Sequence, residues 1–262
     1  MEPFSNAGPP PQGGKSTGFW LAIVAGVLAV VAMVTACGIF AVTRVIGELD
    51  DATDQQRAAA SPSPVPSAEP SPVDDGPCRW GIGPDSGVKS VGRPPGTPTG
   101  GGTVTIASSI GPLQFRLDPK APCSALSFKF LAGKKYFDGT RCHRMTNEGL
   151  YVLQCGDPTG TGSGGPGYEF QSENLPTGSA NPYPAGTLAM ANSGTPDSNG
   201  SQFFIVYRDS QLGPDYTVLG TVTQGLDAIR AAAAAGHDGS LDPSPGGGKP
   251  KKEVLLQTVT AS

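Results

Sequence analysis

The amino-acid sequence predicts a mainly β fold: a closed antiparallel barrel of eight strands, capped by two α-helices and preceded by one N-terminal transmembrane helix. Three observations lead to this prediction. One long segment near the N-terminus is apolar and contains no charged residue. Many short runs then alternate apolar and polar residues between turn residues, and 38 glycines and 27 prolines leave little room for long helices. Many short strands with two helical segments favour a closed, helix-capped barrel.

The uncharged segment covers residues 19–42 and is dominated by Leu, Ile, Val, Ala and Gly. It is long enough to cross a bilayer and exceeds the apolar part of an ordinary signal peptide. We therefore expect a Pro/Gly-rich cytoplasmic tail at residues 1–18 and a transmembrane anchor at residues 19–43. The alternative is a lipoprotein, because Val34-Thr35-Ala36-Cys37 resembles a bacterial lipobox. We expect a single-pass cell-membrane protein, and either anchor would place the rest of the chain outside the cytoplasm.

The region after the anchor changes composition twice. Residues 44–77 are rich in Ala, Ser and Pro and are predicted to form a linker, because repeated proline favours extended conformers without a core. Residues 78–102 contain Cys78 and Trp80 among Gly and Pro, and we expect them to form an extension held on the next domain. That domain is predicted to cover residues 103–262. The formal charge of −4 gives no reason to expect nucleic-acid binding.

The domain begins with alternating runs at 103–107 and 113–117, and Gly111-Pro112 between them predicts a hairpin. Apolar residues recur at helical spacing over 124–136, after a proline that suits a first helical turn. A second helix is predicted at 226–235, ended by a glycine. The other predicted strands cover 140–144, 151–155, 187–191, 203–207, 217–222 and 254–259.

Five cysteines are present, and Cys37 lies in the apolar segment. The four others are Cys78, Cys123, Cys142 and Cys155. An even number outside the cytoplasm indicates two disulfides, for which three connectivities are open. A metal site is the alternative, but the four cysteines contain no C-x-x-C pair and the chain has only two histidines. We therefore expect neither a metal nor another cofactor.

Four blocks of sequence place one arginine and a few amides among apolar residues in short strands. They are Phe137-Asp138-Gly139-Thr140-Arg141-Cys142-His143-Arg144, Gln154-Cys155-Gly156-Asp157, Leu188-Ala189-Met190-Ala191-Asn192 and Ser201-Gln202-Phe203-Phe204-Ile205-Val206. An apolar groove of this kind suits a peptide segment and offers little for hydrolysis or metal chemistry. In this order the blocks resemble those of the cyclophilins, a family of peptidyl-prolyl cis/trans isomerases. The helix-capped barrel is also the fold that the resemblance implies.

The resemblance implies a catalytic role for Arg144, which follows His143 as in the family pattern, with Gln154 holding its guanidinium. A hydrogen bond from this cation to the prolyl nitrogen would weaken the amide resonance that opposes isomerisation. It also implies that the substrate is bound by Tyr151, Val152, Ala191, Asn192, Gln202, Phe204, Leu212 and Tyr216. Among these, Phe204 would form the floor beneath the proline ring.

The chain departs from the family pattern near the implied site. Cys142 stands where phenylalanine is usual, Gln211 where tryptophan is frequent, and Tyr216 at the histidine position. The segment 145–150 is also slightly longer than in the pattern. We expect retained activity with altered selectivity, and weaker cyclosporin binding because the tryptophan normally contacts such ligands.

The implied site also suggests a disulfide pairing. Cys142 and Cys155 would lie on adjacent antiparallel strands that place Arg144 near Gln154. Our hypothesis is a 142–155 disulfide that rigidifies this hairpin, and a 78–123 disulfide that holds the extension on the first helix.

Together these expectations describe a membrane-tethered bacterial cyclophilin, monomeric and free of cofactors, that isomerises X-Pro bonds in unfolded or exported proteins. The alternative is a binding or chaperone module that holds proline-containing segments in the same groove without turnover. Gln211 and Tyr216 keep this alternative open. A stalked structural domain would have no use for an arginine and glutamines among apolar groove residues.

Overall fold

The computed structural model describes residues 73–74, 76–89, 91–210 and 212–262. The predicted tail, the predicted anchor, Cys37 and nearly all of the predicted linker therefore lie outside the described residues, as does Gln211. Within the described ranges, no helix combines the length and the apolar character needed to cross a bilayer.

The described part of the chain contains twelve strands and two helices, numbered here in chain order. The strands are β1 (Val73–Asp74), β2 (Arg79–Asp85), β3 (Gly102–Ser108), β4 (Gly111–Leu117), β5 (Thr140–Arg141), β6 (Arg144–Met145), β7 (Val152–Cys155), β8 (Pro166–Phe170), β9 (Thr187–Met190), β10 (Phe203–Val206), β11 (Val218–Gln224) and β12 (Leu255–Ala261). The helices are α1 (Pro122–Gly133) and α2 (Leu226–Ala233). The prediction of a mainly β domain with two helices is confirmed.

The predicted first hairpin is the β3–β4 pair. Val104 lies opposite Phe115 and Ile106 opposite Leu113, and all four side chains are buried in the core. Their alternation with exposed neighbours is the period-two pattern visible in the sequence. Gly111 starts β4 with φ of 109°, a left-handed value that favours glycine.

Nine strands form one antiparallel sheet in the order β5-β12-β3-β4-β11-β9-β10-β7-β6. The predicted closed barrel of eight strands is therefore wrong in strand number and in closure. β5 and β6 lie at the two edges of the sheet and share no strand pairing, although two residues separate them in sequence. Cys142 donates to Val254 beside one edge, and His143 donates to Gln154 beside the other. The chain itself thus joins the two edges of a curled half-barrel.

A second, three-stranded sheet of order β1-β2-β8 lies within residues 73–170. Trp80 from β2 is buried, with ring centroids 5.4 Å from Tyr168 and 5.3 Å from Phe170. A disulfide joins Cys78 to Cys123, the pair that we hypothesised. The sequence analysis missed all three strands. β1 has only two residues and lies in the predicted linker, the 78–102 region offers no clean alternation, and β8 is short and contains Pro and Gly.

Helix α1 begins at Pro122, slightly earlier than predicted, and ends at Gly133. No preceding side chain caps it. The carboxylate of Glu173 instead accepts hydrogen bonds from the backbone N–H groups of Cys123 (3.3 Å) and Ser124 (2.7 Å). A carboxylate at this position satisfies otherwise unpaired N–H groups and opposes the positive end of the helix dipole.

Strands β7 and β10 have two different apolar faces. Leu153, Phe203 and Ile205 belong to the main core, whereas Phe204 and Val206 belong to a smaller cluster on the opposite face. This follows from the period of two in a strand, because neighbouring residues point to opposite faces of the sheet. The face that carries the smaller cluster is the one on which the candidate site lies.

Replacing both Cys78 and Cys123 by alanine should lower the free energy of unfolding by about 2–4 kcal/mol. The disulfide closes a loop with a sequence separation of 45 and so restricts the unfolded chain. Urea denaturation of oxidised protein, with Cys37→Ala as a control that breaks neither disulfide, measures the difference. An unchanged midpoint in the double variant would contradict this expectation.

Candidate functional site

A groove of about 610 Å³ lies on the face of β7 and β10 that carries the smaller cluster. The backbone register explains which side chains meet there. Gln154 pairs with Phe204 on one side and with Arg144 on the other, so these residues share one face of the sheet. Eight of the ten predicted site residues line the groove: Arg144, Val152, Gln154, Ala191, Asn192, Phe204, Leu212 and Tyr216.

Arg144 begins β6, is half-buried and uses all three guanidinium nitrogens as donors. Nη1 donates to Oε1 of Gln154 at 3.1 Å, as the sequence analysis expected. Nε donates to the carbonyl of Gly246 at 2.9 Å, and Nη2 donates to the carbonyl of Pro245 at 2.7 Å. Burial lowers the pKa of the guanidinium from its ordinary value, but arginine remains the cation at any pH of interest.

Gln202 lies behind Gln154 and does not line the main groove. Its Oε1 accepts a hydrogen bond from Nε2 of Gln154 at 2.9 Å, and its own Nε2 donates to the carbonyls of Gly162 and Gly164. The structure therefore places it as a support for Gln154, and it also lines a neighbouring cavity of about 200 Å³. Two amides in series connect the arginine to the glycine-rich loop formed by residues 160–165.

The glycine-rich loop is organised by Asp157, which the sequence analysis did not select. This fully buried carboxylate accepts hydrogen bonds from the backbone N–H groups of Thr159 (2.7 Å), Gly162 (2.7 Å) and Gly164 (3.1 Å). Burial alone would raise the pKa of the carboxyl, but hydrogen bonds led by those from Thr159 outweigh it and lower the pKa. Asp157 thus fixes the two carbonyls that hold Gln202.

The apolar floor of the groove is Phe204, which contacts the Tyr216 ring edge-on with centroids 5.4 Å apart. Tyr216 is positioned from behind by Tyr183, which is fully buried. The Tyr183 hydroxyl donates to the backbone carbonyl of Tyr216 and accepts from its N–H, both at 2.9 Å. Burial raises the pKa of Tyr183 to about 12. Sequence reasoning missed Tyr183 because it lies in an Asn-Pro-Tyr-Pro turn without strand or helix periodicity.

Tyr151 lies away from the groove, contrary to its predicted role in substrate binding. Its neighbour Val152 faces the groove, so alternation turns Tyr151 to the other side, where it lines a separate cavity of about 420 Å³. There its ring packs edge-on against Tyr207 and lies 4.5 Å from the guanidinium carbon of Arg208.

His143 lines the groove together with its neighbour Arg144, although adjacent residues of a regular strand point to opposite faces. The alternation fails because β6 begins only at Arg144, and His143 belongs to the crossing segment between β5 and β6. His143 is 6% exposed, and neither ring nitrogen has a hydrogen-bond partner within the described residues. Burial, together with the nearby charge of Arg144, lowers its pKa, and Asp157 opposes this shift.

A disulfide joins Cys142 to Cys155 next to the Arg144–Gln154 pair, with the two Cα atoms 4.0 Å apart. This is the second hypothesised pairing. It links the crossing segment to β7, immediately beside the strand pair that carries the arginine. The relative position of Arg144 and Gln154 is therefore fixed covalently as well as by hydrogen bonds.

The domain that contains this groove matches a known protein family. The family model described as "Cyclophilin type peptidyl-prolyl cis-trans isomerase/CLD" matches residues 103–261. The chain belongs to this family. The cyclophilin domain therefore contains all of the groove residues described above.

Similar proteins in other organisms are also named as peptidyl-prolyl cis-trans isomerases. The chain is 42% identical over 214 residues to "Probable peptidyl-prolyl cis-trans isomerase B" of Mycobacterium tuberculosis, which covers 75% of this chain and 67% of the relative. It is 41% identical over 213 residues to the protein of that name in Mycobacterium leprae, covering 74% and 70%. A crystal structure of a Cryptosporidium parvum cyclophilin type peptidyl-prolyl cis-trans isomerase superposes with a TM-score of 0.53 at 29% identity, covering 62% of this chain and 98% of that one. The protein is thus a cyclophilin-type peptidyl-prolyl cis-trans isomerase, an enzyme that acts on proline-containing peptides.

The buried histidine predicts a pH dependence of stability for this cyclophilin. Because the folded-state pKa of His143 is lowered, the unfolded chain takes up a proton at a higher pH than the folded protein. The His143 contribution should be fully present above about pH 6.5, the ordinary pKa of histidine, and should decline as the pH falls toward the folded-state value.

Urea denaturation at pH 7 and at pH 5 should therefore show a smaller loss of unfolding free energy in His143→Gln than in the unmodified cyclophilin. The glutamine keeps a polar side chain at the position but does not titrate. Equal losses in the two proteins would contradict the expectation.

Proposed function

We propose that this cyclophilin isomerises X-Pro bonds in unfolded or exported proteins and that Arg144 is its catalytic residue. The observation that carries the proposal is a guanidinium fixed by three hydrogen bonds beside the apolar floor formed by Phe204. A proline ring on that floor would bring its amide bond within reach of the cation.

The reaction needs a site that binds the twisted amide better than either planar form. The uncatalysed barrier is about 20 kcal/mol because amide resonance must be broken, and no bond is cleaved. A donor hydrogen-bonded to the prolyl nitrogen would localise its lone pair and so lower this barrier. Arg144 has five N–H groups, three of which are used within the described residues, so two remain for the substrate.

Fixing the guanidinium in advance supports catalysis. Donors that already point at the position of developing charge need no reorganisation during the reaction, and a groove that excludes water strengthens them. The series from Asp157 through the glycine-rich loop, Gln202 and Gln154 supplies such a fixed arrangement for Arg144.

A peptide backbone would be held along the opposite wall of the groove by Asn192. Its side chain is used within its own loop, donating to the carbonyl of Asp215 and accepting from the N–H of Gly194, both at 3.0 Å. Its backbone N–H and C=O make no hydrogen bond within the described ranges. These two groups are therefore free to bind an extended substrate, and main-chain binding of this kind requires no particular side chain.

Binding without turnover remains the alternative function. Phe204 and the free backbone of Asn192 would suit a module that only holds proline-containing segments. The fixed, half-buried arginine favours the enzyme, because a cation held in one orientation adds little to holding an apolar ring. The prediction of weaker cyclosporin binding rests on Gln211, which lies outside the described residues, and stays a prediction.

We also propose that the isomerase acts outside the cytoplasm as a monomer tethered by residues 19–43. Two disulfides within the described part of the chain support an oxidising compartment. The apolar segment itself lies outside the described residues, and its support comes from sequence length and composition alone.

Arg144→Ala should lower kcat/KM for X-Pro isomerisation by about 100-fold or more, the loss expected when one preorganised donor to a transition state is removed. A protease-coupled peptide assay measures it. Arg141→Ala is the matched control, because Arg141 is an exposed arginine on β5 whose side chain pairs with Glu253. Undiminished catalysis in Arg144→Ala would contradict the role of the arginine. A folded wild-type protein without catalysis would instead favour the binding module.

The full chain should sediment with membranes, whereas a chain that lacks residues 1–43 and is exported by a cleavable signal should stay in the supernatant. Membrane fractionation measures this difference. Protease added to intact cells should digest the isomerase domain of the full chain. Cys37→Ala distinguishes the two anchors by the length of the mature chain: a lipoprotein would be cleaved before Cys37 and the variant would keep residues 1–36, whereas a transmembrane anchor gives the same length in both proteins. Protection of the domain in intact cells would contradict an extracytoplasmic location.

A further inference from the structure

The loop formed by residues 241–247 contacts the proposed catalytic group from far away in sequence. The Pro245 and Gly246 carbonyls of the loop accept two of the three hydrogen bonds that the Arg144 guanidinium donates, across sequence separations of 101 and 102. Only the third goes to the glutamine expected from the family pattern. The orientation of the guanidinium therefore depends more on this loop than on Gln154.

The loop has a fixed internal structure. Leu241 donates to the Gly247 carbonyl at 3.0 Å, Gly246 donates to the Leu241 carbonyl at 2.9 Å, and the carboxylate of Asp242 accepts from the N–H of Gly247 at 2.6 Å. These contacts close the loop into a compact turn across its own base. The two carbonyls that reach Arg144 are thus held by the loop itself.

The base of the loop is attached to β6. Met145 and Gly248 exchange two backbone hydrogen bonds of 2.8 and 3.0 Å. Gly247 has φ of 83°, and a Cβ added there would overlap the Met145 carbonyl, so glycine is needed for this close approach. The strand that carries Arg144 and the loop that accepts its hydrogen bonds therefore form one unit.

Leu241 and Pro245 also line the substrate groove on the side of Arg144. Behind the loop lies a second cavity of about 270 Å³, lined in part by Asn147 and Glu148. The loop is therefore a wall between two open spaces, with one apolar surface toward the groove. Leu241 is half-buried and Pro245 is exposed, so both can gain contacts from a bound peptide.

We propose that the 241–247 loop is a substrate-specificity element of this isomerase. It positions Arg144 through two carbonyls, and it presents Leu241 and Pro245 to the residue next to the substrate proline. That residue would be a large apolar one, such as leucine or phenylalanine. The inference rests on the proposed function, because a proline on the Phe204 floor with its amide at Arg144 places one flanking residue beside this wall.

A loop that blocks the groove is the opposite interpretation of the same contacts. The internal hydrogen bonds and the attachment to β6 favour a fixed wall over a displaceable cover. The two interpretations predict opposite kinetics, since opening a blocked groove would raise kcat/KM for every peptide.

The specificity test uses the full chain and peptides that carry glycine, alanine, leucine or phenylalanine on either side of proline. The wild type should prefer leucine or phenylalanine over glycine at one of the two positions. Leu241→Ala should reduce that preference by about fivefold, the effect expected when burial of one or two methylene groups is lost. Leu241→Met, of similar volume and apolar character, should keep most of the preference. An identical leucine-to-glycine ratio in all three proteins, or a uniform rise in kcat/KM in Leu241→Ala, would overturn the proposal.

The positioning test uses Asp242, whose carboxylate holds the loop but does not line the groove. Asp242→Ala should lower kcat by about tenfold with a smaller change in KM, and Asp242→Asn, which keeps an oxygen acceptor, should restore most of it. In the Arg144→Ala background, Asp242→Ala should have little further effect, because both changes act through the same guanidinium. Circular dichroism checks that each variant is folded.

The outcomes separate the two proposals. Additive losses from Asp242→Ala and Arg144→Ala would overturn positioning by the loop but leave the catalytic arginine intact. A wild type without catalysis, or an Arg144→Ala variant with full activity, would instead remove the proposed function on which the loop inference rests.

Discussion

The fixed orientation of the Arg144 guanidinium is the constraint on which the rest of the site depends. Strand pairing places Arg144 beside Gln154, but pairing alone leaves a long side chain with many rotamers. Gln154 removes part of this freedom because Gln202 holds it, and Gln202 is held by a loop that the buried Asp157 organises. The Cys142–Cys155 disulfide then prevents the two strands from separating beside this network. The groove thus has one preferred position for its cation.

All three partners of Arg144 are neutral oxygens, from one amide and two backbone carbonyls. Within the described residues no carboxylate forms an ion pair with it. Burying a charge is costly unless it is hydrogen-bonded, and three acceptors reduce that cost. A carboxylate would reduce it further, but it would also compete with the substrate for the same positive charge. Neutral acceptors therefore position the cation without neutralising its charge, as the role that we propose for Arg144 requires.

The sequence could predict those parts of the site that local pattern determines. The family blocks put Arg144 near Gln154 and implied that Phe204 is the floor of the groove, and the observed strand register brings all three to one face of the sheet. The parts that it could not predict are contacts between segments without periodicity. Asp157 and Tyr183 lie in turns rich in Gly, Pro, Ser or Asn, and their roles depend on which backbone atoms fold toward them. The sequence also could not show that the sheet is open between β5 and β6, at residues 140–145. Alternation indicates that a segment is a strand, but it does not indicate which strands pair with it.

Two segments beside the arginine, residues 145–150 and the 241–247 loop, are coupled to each other. Asn147 lies in the 145–150 segment, and its side chain is hydrogen-bonded to His237 at 2.8 Å, shortly before the 241–247 loop begins. The same segment joins the loop through the Met145–Gly248 pair. A change of length in one segment would therefore shift the other, and with it the two carbonyls on Arg144. Because Gln154 and Phe204 are held from the opposite side, such a change alters the wall of the groove without moving its floor. If the loop and Arg144 have the roles proposed above, such a change would alter the preference for the residues around proline and keep the same arrangement for twisting the bond.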